Sequence, residues 1–356
     1  MQAKYRIILG AILIAAGFVV PAADAVVNIQ NVGAGARSMA LGNSFVAVAD
    51  DPDAVFANPA GLSQIEKRQV AYTNVSLFYG GIDGDNLGQH VLSYVQPMGS
   101  RMGLGLGFER IGSDLMNENG LFLSLSYKLS RKLQLGLSGK YLFWSVGDID
   151  PDPETGAADP MSGEGAGGVG VDLGLLWQSP FAGAQVGLLL KNLNQPSVAS
   201  GEGKVWEDTD GDDVVDTAVT DEDAGKLPMD LHLGVSYQVN EQSMVSVQWV
   251  VRDVTAESVD VQVGEKDDGM GTMVPVMEEE TSRTSKLVIG GETRVVEKLL
   301  LRAGGSRIFE EDASGDVMAG LGYRWGNNMI LDYSYHIPLD LTETNGAHRF
   351  SFGYEF

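Results

Sequence analysis

Three carboxylates at alternate positions, Asp208, Asp210 and Asp212, stand in the run Glu207-Asp208-Thr209-Asp210-Gly211-Asp212-Asp213-Val214-Val215-Asp216. Oxygen ligands spaced by two wrap a hard cation because each carboxylate turns inward as the chain curls, and Gly211 permits the tight turn. This is the chemistry of the first half of a calcium loop. The run departs from an EF-hand: the twelfth position counted from Asp208 is Val219 rather than Glu, and the glycine is displaced. The closing ligand would therefore come from Asp216 or Asp221. Asp208, Asp210, Asp212 and Asp216 are the candidate Ca2+ ligands, in a loop at 207–221, against the alternative of a solvated acidic surface loop.

No other cluster has catalytic spacing. Gly163-x-Gly165-x-x-Gly168 matches a dinucleotide fingerprint in letters only, since Val169, Val171, Leu173 and Leu175 continue it as a strand and not as a helix able to cradle phosphate. The sequence has no G-x-S-x-G, no H-E-x-x-H and no P-loop, and its four histidines, His90, His232, His336 and His348, are scattered. Without cysteine the chain has no thiolate metal site, disulfide framework or lipid-modified cysteine. Nothing here assembles an enzyme.

The formal net charge of -24 at pH 7 disfavours a nucleic-acid partner, whose phosphates need Lys and Arg. Much of the excess lies in three stretches: 147–166 with Asp148, Asp150, Asp152, Glu154, Asp159 and Glu164; 195–228 with the acidic run above; and 255–284 with Glu278-Glu279-Glu280. At the other extreme, Lys4 and Arg6 precede an apolar run from Ile7 to Val20, and Ala23-Asp24-Ala25 gives a small-x-small site. A run of about 14 apolar residues is short for a membrane-spanning helix, which needs roughly 20, so residues 1–25 read as a cleaved signal peptide.

What positions these features is a period of two. From Val70 onward apolar and polar residues alternate: Met229, Leu231, Leu233, Val235, Tyr237 and Val239 fall on one side, and Asp230, His232, Gly234, Ser236 and Gln238 on the other. Residues 102–108, Met-Gly-Leu-Gly-Leu-Gly-Phe, have one apolar face and one glycine face. About fourteen such segments of about ten residues follow one another between 68 and 356, with short turns and longer loops alternating between them. A soluble two-sheet sandwich would alternate as well. The export signal, the loop rhythm and a last strand ending in Phe356 favour an outer-membrane β-barrel instead. The polar face then points into the lumen, where Glu109, Lys140, Asp172, Arg302, Asp332 and Arg349 would pair across strands. Trp177, Trp249, Tyr323 and Trp325 would sit at the membrane interfaces.

Between the export signal and the first strand lies a stretch of different character, GAGARSMALGNSFVAVADDPDAVFANPAGL from Gly33 to Leu62. Its Gly33-x-Gly35-x-Arg37-x-x-x-Leu41-Gly42, Val46-x-Val48-Ala49-Asp50-Asp51 and Asn58-Pro59-Ala60-Gly61-Leu62 resemble the N-terminal signature of the PorV/PorQ branch of the FadL-like outer-membrane proteins. Leu227-Pro228-x-x-Leu231-x-Leu233-Gly234-Val235-Ser236-Tyr237, Leu301-Arg302-Ala303-Gly304 and His348-Arg349-x-Ser351 extend the resemblance over the mature chain.

The resemblance implies an all-β fold: a 14-stranded antiparallel transmembrane β-barrel (68–356) whose lumen is closed by an N-terminal hatch (26–67). It makes Gly33, Arg37, Gly42, Asp50, Asp51, Asn58, Pro59, Ala60 and Gly61 the hatch residues. FadL-type members pass hydrophobic molecules, and PorV-type members serve type IX secretion by holding exported cargo. The partners implied are outer-membrane lipid, hydrophobic small molecules or secreted cargo proteins, and the barrel-assembly machinery acting through the C-terminal strand. Asp50 and Asp51, enclosed in a lumen, would need cations such as Arg302, Arg324 or Arg349. The other reading is a sealed barrel whose acidic loops contact surface partners.

Overall fold

The computed structural model describes residues 32–356 apart from 78–86, 114, 152–155, 157–158, 160, 200–203, 208–216, 221–224, 257–258, 268–272, 281–282, 310–313 and 340–345. The export signal and the candidate calcium ligands Asp208, Asp210, Asp212 and Asp216 lie outside the described residues. Strands are numbered in chain order: β1 (Gln69–Ser76), β2 (Gly88–Met98), β3 (Met102–Gly112), β4 (Met116–Lys128), β5 (Leu133–Val146), β6 (Gly165–Gln178), β7 (Ala184–Lys191), β8 (Lys204–Glu207) and β9 (Thr217–Thr220). They continue with β10 (Asp230–Gln238), β11 (Ser243–Arg252), β12 (Val259–Asp267), β13 (Met273–Glu280), β14 (Thr284–Val296), β15 (Leu299–Ile308), β16 (Gly315–Trp325), β17 (Met329–Pro338) and β18 (Ala347–Glu355).

Fourteen of these strands close a barrel in which neighbours run antiparallel, and β1 completes the ring by pairing with both β2 and β18. The connections 99–101, 129–132, 179–183, 239–242, 297–298 and 326–328 are short turns on one rim. The long connections are gathered on the other. Two of them contain hairpins of their own, β8–β9 and β12–β13, which do not join the barrel sheet. Alternation alone did not separate these ribbons from loop.

The alternation works as its chemistry requires. Leu106, Leu123, Leu137, Val247, Ile289, Leu321 and Phe352 stand exposed on the outer face, and so do Trp177, Trp249, Tyr323 and Trp325. The side chains between them turn inward and are buried: Glu109, Lys140, Asp172, Arg302, Asp332 and Arg349 among them. A sheet that is greasy outside and charged inside inverts the arrangement of a dry core, and closure leaves no strand edge unpaired.

The lumen is filled by the chain's own N-terminal stretch. It forms helix α1 (Ala36–Ala40), helix α2 (Ala54–Ala57) and a 3₁₀ turn (Pro59–Gln64) before β1 begins. Leu41, Phe45 and Leu62 within it have no exposed surface. Wall glycines make room for it. A Cβ on Gly136 of β5 would lie 2.2 Å from the Ala60 amide nitrogen, one on Gly187 of β7 2.2 Å from the Val46 carbonyl oxygen, and one on Gly304 of β15 2.2 Å from the Gly42 amide nitrogen. Gly103, Gly174, Gly290 and Gly320 meet the same segment at comparable range. The glycine face of 102–108 is therefore the face that receives the hatch.

Two glycines three residues apart on β5 separate this role from ordinary strand glycine. Gly136→Ala forces backbone against backbone and is expected to destabilise hatch seating by about 1–3 kcal/mol, the usual cost of overpacking. Gly139→Ala, whose added Cβ meets nothing within 4 Å, is expected to be neutral. Thermal melting and trypsin release of the hatch in detergent check the pair.

Candidate functional site

An enclosed segment with little regular structure must have its backbone groups satisfied by something other than water. Here the wall supplies them through short inward side chains. Gln248 Oε1 of β11 accepts from the amides of Phe45 (3.1 Å) and Val46 (3.0 Å). Ser126 Oγ of β4 donates to the Ala60 carbonyl (2.7 Å), Ser236 Oγ of β10 donates to the Ala47 carbonyl (2.9 Å), and Ser351 Oγ of β18 accepts from the Ala36 amide (2.9 Å).

Asn58 is the hub of the Asn-Pro-Ala-Gly element. Its Nδ2 donates to the Val46 carbonyl within the hatch (2.7 Å) and to the Leu175 carbonyl of β6 (3.2 Å), while its Oδ1 accepts from the Ala60 amide (3.1 Å). The last bond is an N-cap, and Pro59 at the first position of the 3₁₀ turn spares a donor that would have no partner. Gly61 packs so closely on Ala49 that a Cβ would fall 2.0 Å from its carbonyl oxygen. Gly42 takes φ 72°, the left-handed conformation that glycine adopts without penalty, and its own Cβ position would be 2.8 Å from the Ile289 carbonyl oxygen.

Charge fastens the hatch to one side of the barrel. Arg37 on α1 reaches Asp50 (2.6 Å) and Asp51 (2.8 Å) in the hatch and Glu292 of β14 (3.0 Å). Glu292 is shared with Arg302 of β15 (2.6 Å), which also reaches Asp332 of β17 (2.5 Å). The sequence expectation that wall arginines would neutralise Asp50 and Asp51 is corrected: their partner is Arg37 of the hatch itself. Arg302 is committed to wall carboxylates, and Arg349 donates from Nη2 to the Val32 carbonyl (2.7 Å). Elsewhere in the lumen Lys140 pairs with Asp172 (2.7 Å), and Lys286 and His336 both reach Asp316 (2.8 and 2.9 Å).

Asp53, at the start of α2, accepts from Ser38 Oγ (3.1 Å) and carries no ion pair among the described contacts. Its carboxyl lies over Gly35, where a Cβ would come within 1.9 Å of Oδ2. Burial, followed by the nearby Asp51 charge, pushes it up to about 8.

Two spaces flank this assembly. On the short-turn side a polar vestibule of about 560 Å³ is lined by Arg37, Asp50, Asp51, Glu292, Arg302 and Arg324 among others. On the other side a pocket of about 40 Å³ lies between hatch and wall, against Asp53, Phe56, Glu109, Lys191, His232 and Gln248. It has room for a few water molecules at most. Beyond it, towards the long loops, Val75, Ile111, Met116, Leu142, Trp144 and Val146 form an apolar cluster continuous with Val55 and Leu62 of the hatch.

The wall itself changes at β6. Pairing with β7 runs only from Leu173↔Leu190 to Gln178↔Gln185, so Gly165–Asp172 extend beyond the end of β7. There the chain turns away at Asn192 (φ 53°), and Asn194 takes over the ladder by accepting from the Val171 amide (2.9 Å) and donating to the Val169 carbonyl (2.8 Å). Pro196 to Val198 then fold over the glycines of β6, and Trp144 Nε1 donates to the Val198 carbonyl (2.7 Å).

Of the nine sequence-derived residues, Arg37, Gly42, Asp50, Asp51, Asn58, Pro59, Ala60 and Gly61 make the contacts above, and Gly33 packs on Met39, whose Sδ would lie 2.1 Å from an added Cβ. Sequence reasoning missed Gln248 and Ser126, and it quoted Ser236 and Ser351 without giving them this role, because their types are ordinary for any inward strand position. Among the described residues no group of three or more His, Asp or Glu is placed to hold a metal ion.

Scans of protein-family models and of curated proteins give no match. Solved structures do. The CymD monoaromatic hydrocarbon channel shares 16% identity over 92% of this chain and 98% of its own, with a TM-score of 0.61. The Ralstonia pickettii toluene transporter TbuX shares 17% over 92% and 99%, also at 0.61, and a Pseudomonas aeruginosa FadL homologue 16% over 91% and 98%, at 0.52. At such identities the likeness is one of fold: the same closed antiparallel barrel.

The raised Asp53 carboxyl gives hatch seating a pH dependence of definite sign. Between an ordinary aspartate value of about 4 and about 8, the seated form holds a proton that the released form gives up, so seating weakens as pH rises through that window. The slope reaches about 1.4 kcal/mol per pH unit for one proton. Asp53→Asn keeps the volume and is expected to flatten the dependence. Protease release of the hatch measured from pH 5 to 9 reads it.

Proposed function

We propose that the chain is an outer-membrane β-barrel of a Gram-negative-type bacterium that admits hydrophobic solutes, with the segment 33–62 as the hatch that must shift for passage. The observation that carries this reading is the seat of the hatch. It lies on glycines and is held by hydrogen bonds from a few wall side chains and one localised ion network, so it fills the lumen without being woven into the sheet. A polar vestibule on one side and an apolar cluster on the other give a solute distinct surroundings before and after the seal.

Where β7 ends early beside a long β6, the wall is closed by Asn194 and Pro196 to Val198 in place of a paired strand, and displacement of that cover is the route by which an apolar solute would leave sideways into lipid. The hydrocarbon channels and the toluene transporter that share the fold support the same reading.

The PorV/PorQ assignment, with a role in type IX secretion, rests on the hatch signature and is the second reading. Calcium binding by Asp208, Asp210, Asp212 and Asp216 is likewise a proposal; it predicts that chelator lowers the melting temperature of the wild type and leaves Asp210→Ala unmoved, and no shift in either variant sinks it.

A chain with no native cysteine allows a direct test of the moving hatch. A Cβ on Gly234 would stand 3.5 Å from the Ala47 Cβ, within disulfide range. The Ala47→Cys/Gly234→Cys pair, oxidised, is expected to abolish uptake of a radiolabelled aromatic hydrocarbon by cells, and reduction to restore it. Equal uptake in both states, with secreted proteins co-purifying, would move the reading to secretion.

A further inference from the structure

The outer face of the wall carries a charge pattern that passage through the lumen does not use. The sequence holds 48 Asp and Glu, yet no carboxylate occupies an outward position of the fourteen barrel strands. Two fixed charges do, and both are arginines near the long-loop ends of their strands: Arg110 on β3 and Arg307 on β15.

Arg110 does not stand alone. It pairs across the sheet with His90 of β2, and His90 with Asn74 of β1. Each is two residues from the strand end on the long-loop rim: Gly112, Gly88 and Ser76. Three neighbouring strands therefore present Arg, His and Asn in one outward row. Arg110 Nη2 donates to Asn117 Oδ1 of β4 at 2.5 Å, which holds the guanidinium against the wall.

The imidazole is oriented as well. His90 Nδ1 lies 2.9 Å from the Tyr72 hydroxyl and 3.3 Å from Asn74 Nδ2. An amide nitrogen only donates, so Nδ1 accepts and the ring proton sits on Nε2, a donor beside the guanidinium. Tyr72 stacks on the ring at 6.2 Å and belongs to an exposed aromatic band with Tyr141 and Phe350. Such a band marks the level where lipid headgroups meet the hydrocarbon region.

We propose that Arg110, His90 and Asn74 form a binding site for the phosphate of an anionic lipid in the leaflet on the long-loop side. A guanidinium and an N–H donor side by side match phosphate oxygens, and no carboxylate on the outer face of the barrel strands competes with the phosphate for them. Tyr72 and Leu92 provide apolar surface for the first methylenes of the acyl chain. The site rests on the membrane reading of the barrel and is independent of what crosses the lumen.

The test uses the full chain purified in non-ionic detergent, with heat-modifiable electrophoretic mobility showing that the barrel is folded. Native mass spectrometry follows adducts with phosphatidic acid and, in parallel, with diacylglycerol of the same chains. The expected result is an adduct with phosphatidic acid alone, weakened at least tenfold in Arg110→Gln/His90→Ala and unchanged in Arg307→Gln. Undiminished binding in the double variant overturns the site, and equal loss in Arg307→Gln overturns it in favour of diffuse charge attraction. Displacement of the lipid by millimolar inorganic phosphate overturns it in favour of a free-anion site. A wild type absent from the outer-membrane fraction would defeat the membrane reading instead, a result that the adduct measurement does not mimic.

Discussion

A peptide segment enclosed in a closed barrel has lost water on every side, so the wall must supply both its space and its hydrogen-bond partners. Most of what is distinctive in this molecule follows from that constraint. Space comes from omitting side chains: Gly136, Gly187 and Gly304 let hatch backbone approach strand backbone closer than any Cβ allows. Partners come from Gln248, Ser126, Ser236 and Ser351, short polar groups that reach a carbonyl or amide and stop there. Larger polar residues at those places would push the segment out, and apolar ones would leave its amides unpaired.

The placement of charge obeys the same economy. A net charge of -24 would repel itself inside a narrow lumen, yet Asp50, Asp51, Asp172, Glu292, Asp316 and Asp332 are met by cations at short range, with Asp53 the exception described above. Arg37 joins Asp50, Asp51 and Glu292, and Arg302 joins Glu292 and Asp332. Glu292 belongs to both arginines. Removing one member would leave the rest buried and unbalanced, which is why such a network specifies position more than it adds stability.

Much of this was legible from the sequence because its signals are local. The alternation of Met229 to Val239 fixes which side chains face outward, and the strand positions followed with errors of a few residues at the ends. The Asn58-Pro59-Ala60-Gly61 element stood out as part of the hatch signature, while its N-cap became visible only in the structure. What escaped was whatever depends on register between distant segments. Arg37 meets Glu292 across 255 positions of sequence, and no spacing rule reaches that far. The hairpins β8–β9 and β12–β13 escaped for another reason: each strand is isolated from the barrel ladder, so no inside and outside had to be distinguished along it.

The glycine seat has a consequence for the cell as well as for the fold. Because the wall is glycine where it meets hatch backbone, an emptied lumen would not be narrowed by side chains at those positions. Loss of the hatch would leave a wide hole along the barrel axis, where a barrel lined by bulky inward residues would leave only a small one. Wall and hatch are therefore matched in shape: exchanging the glycines alone makes a clash, and removing the segment alone leaves a void.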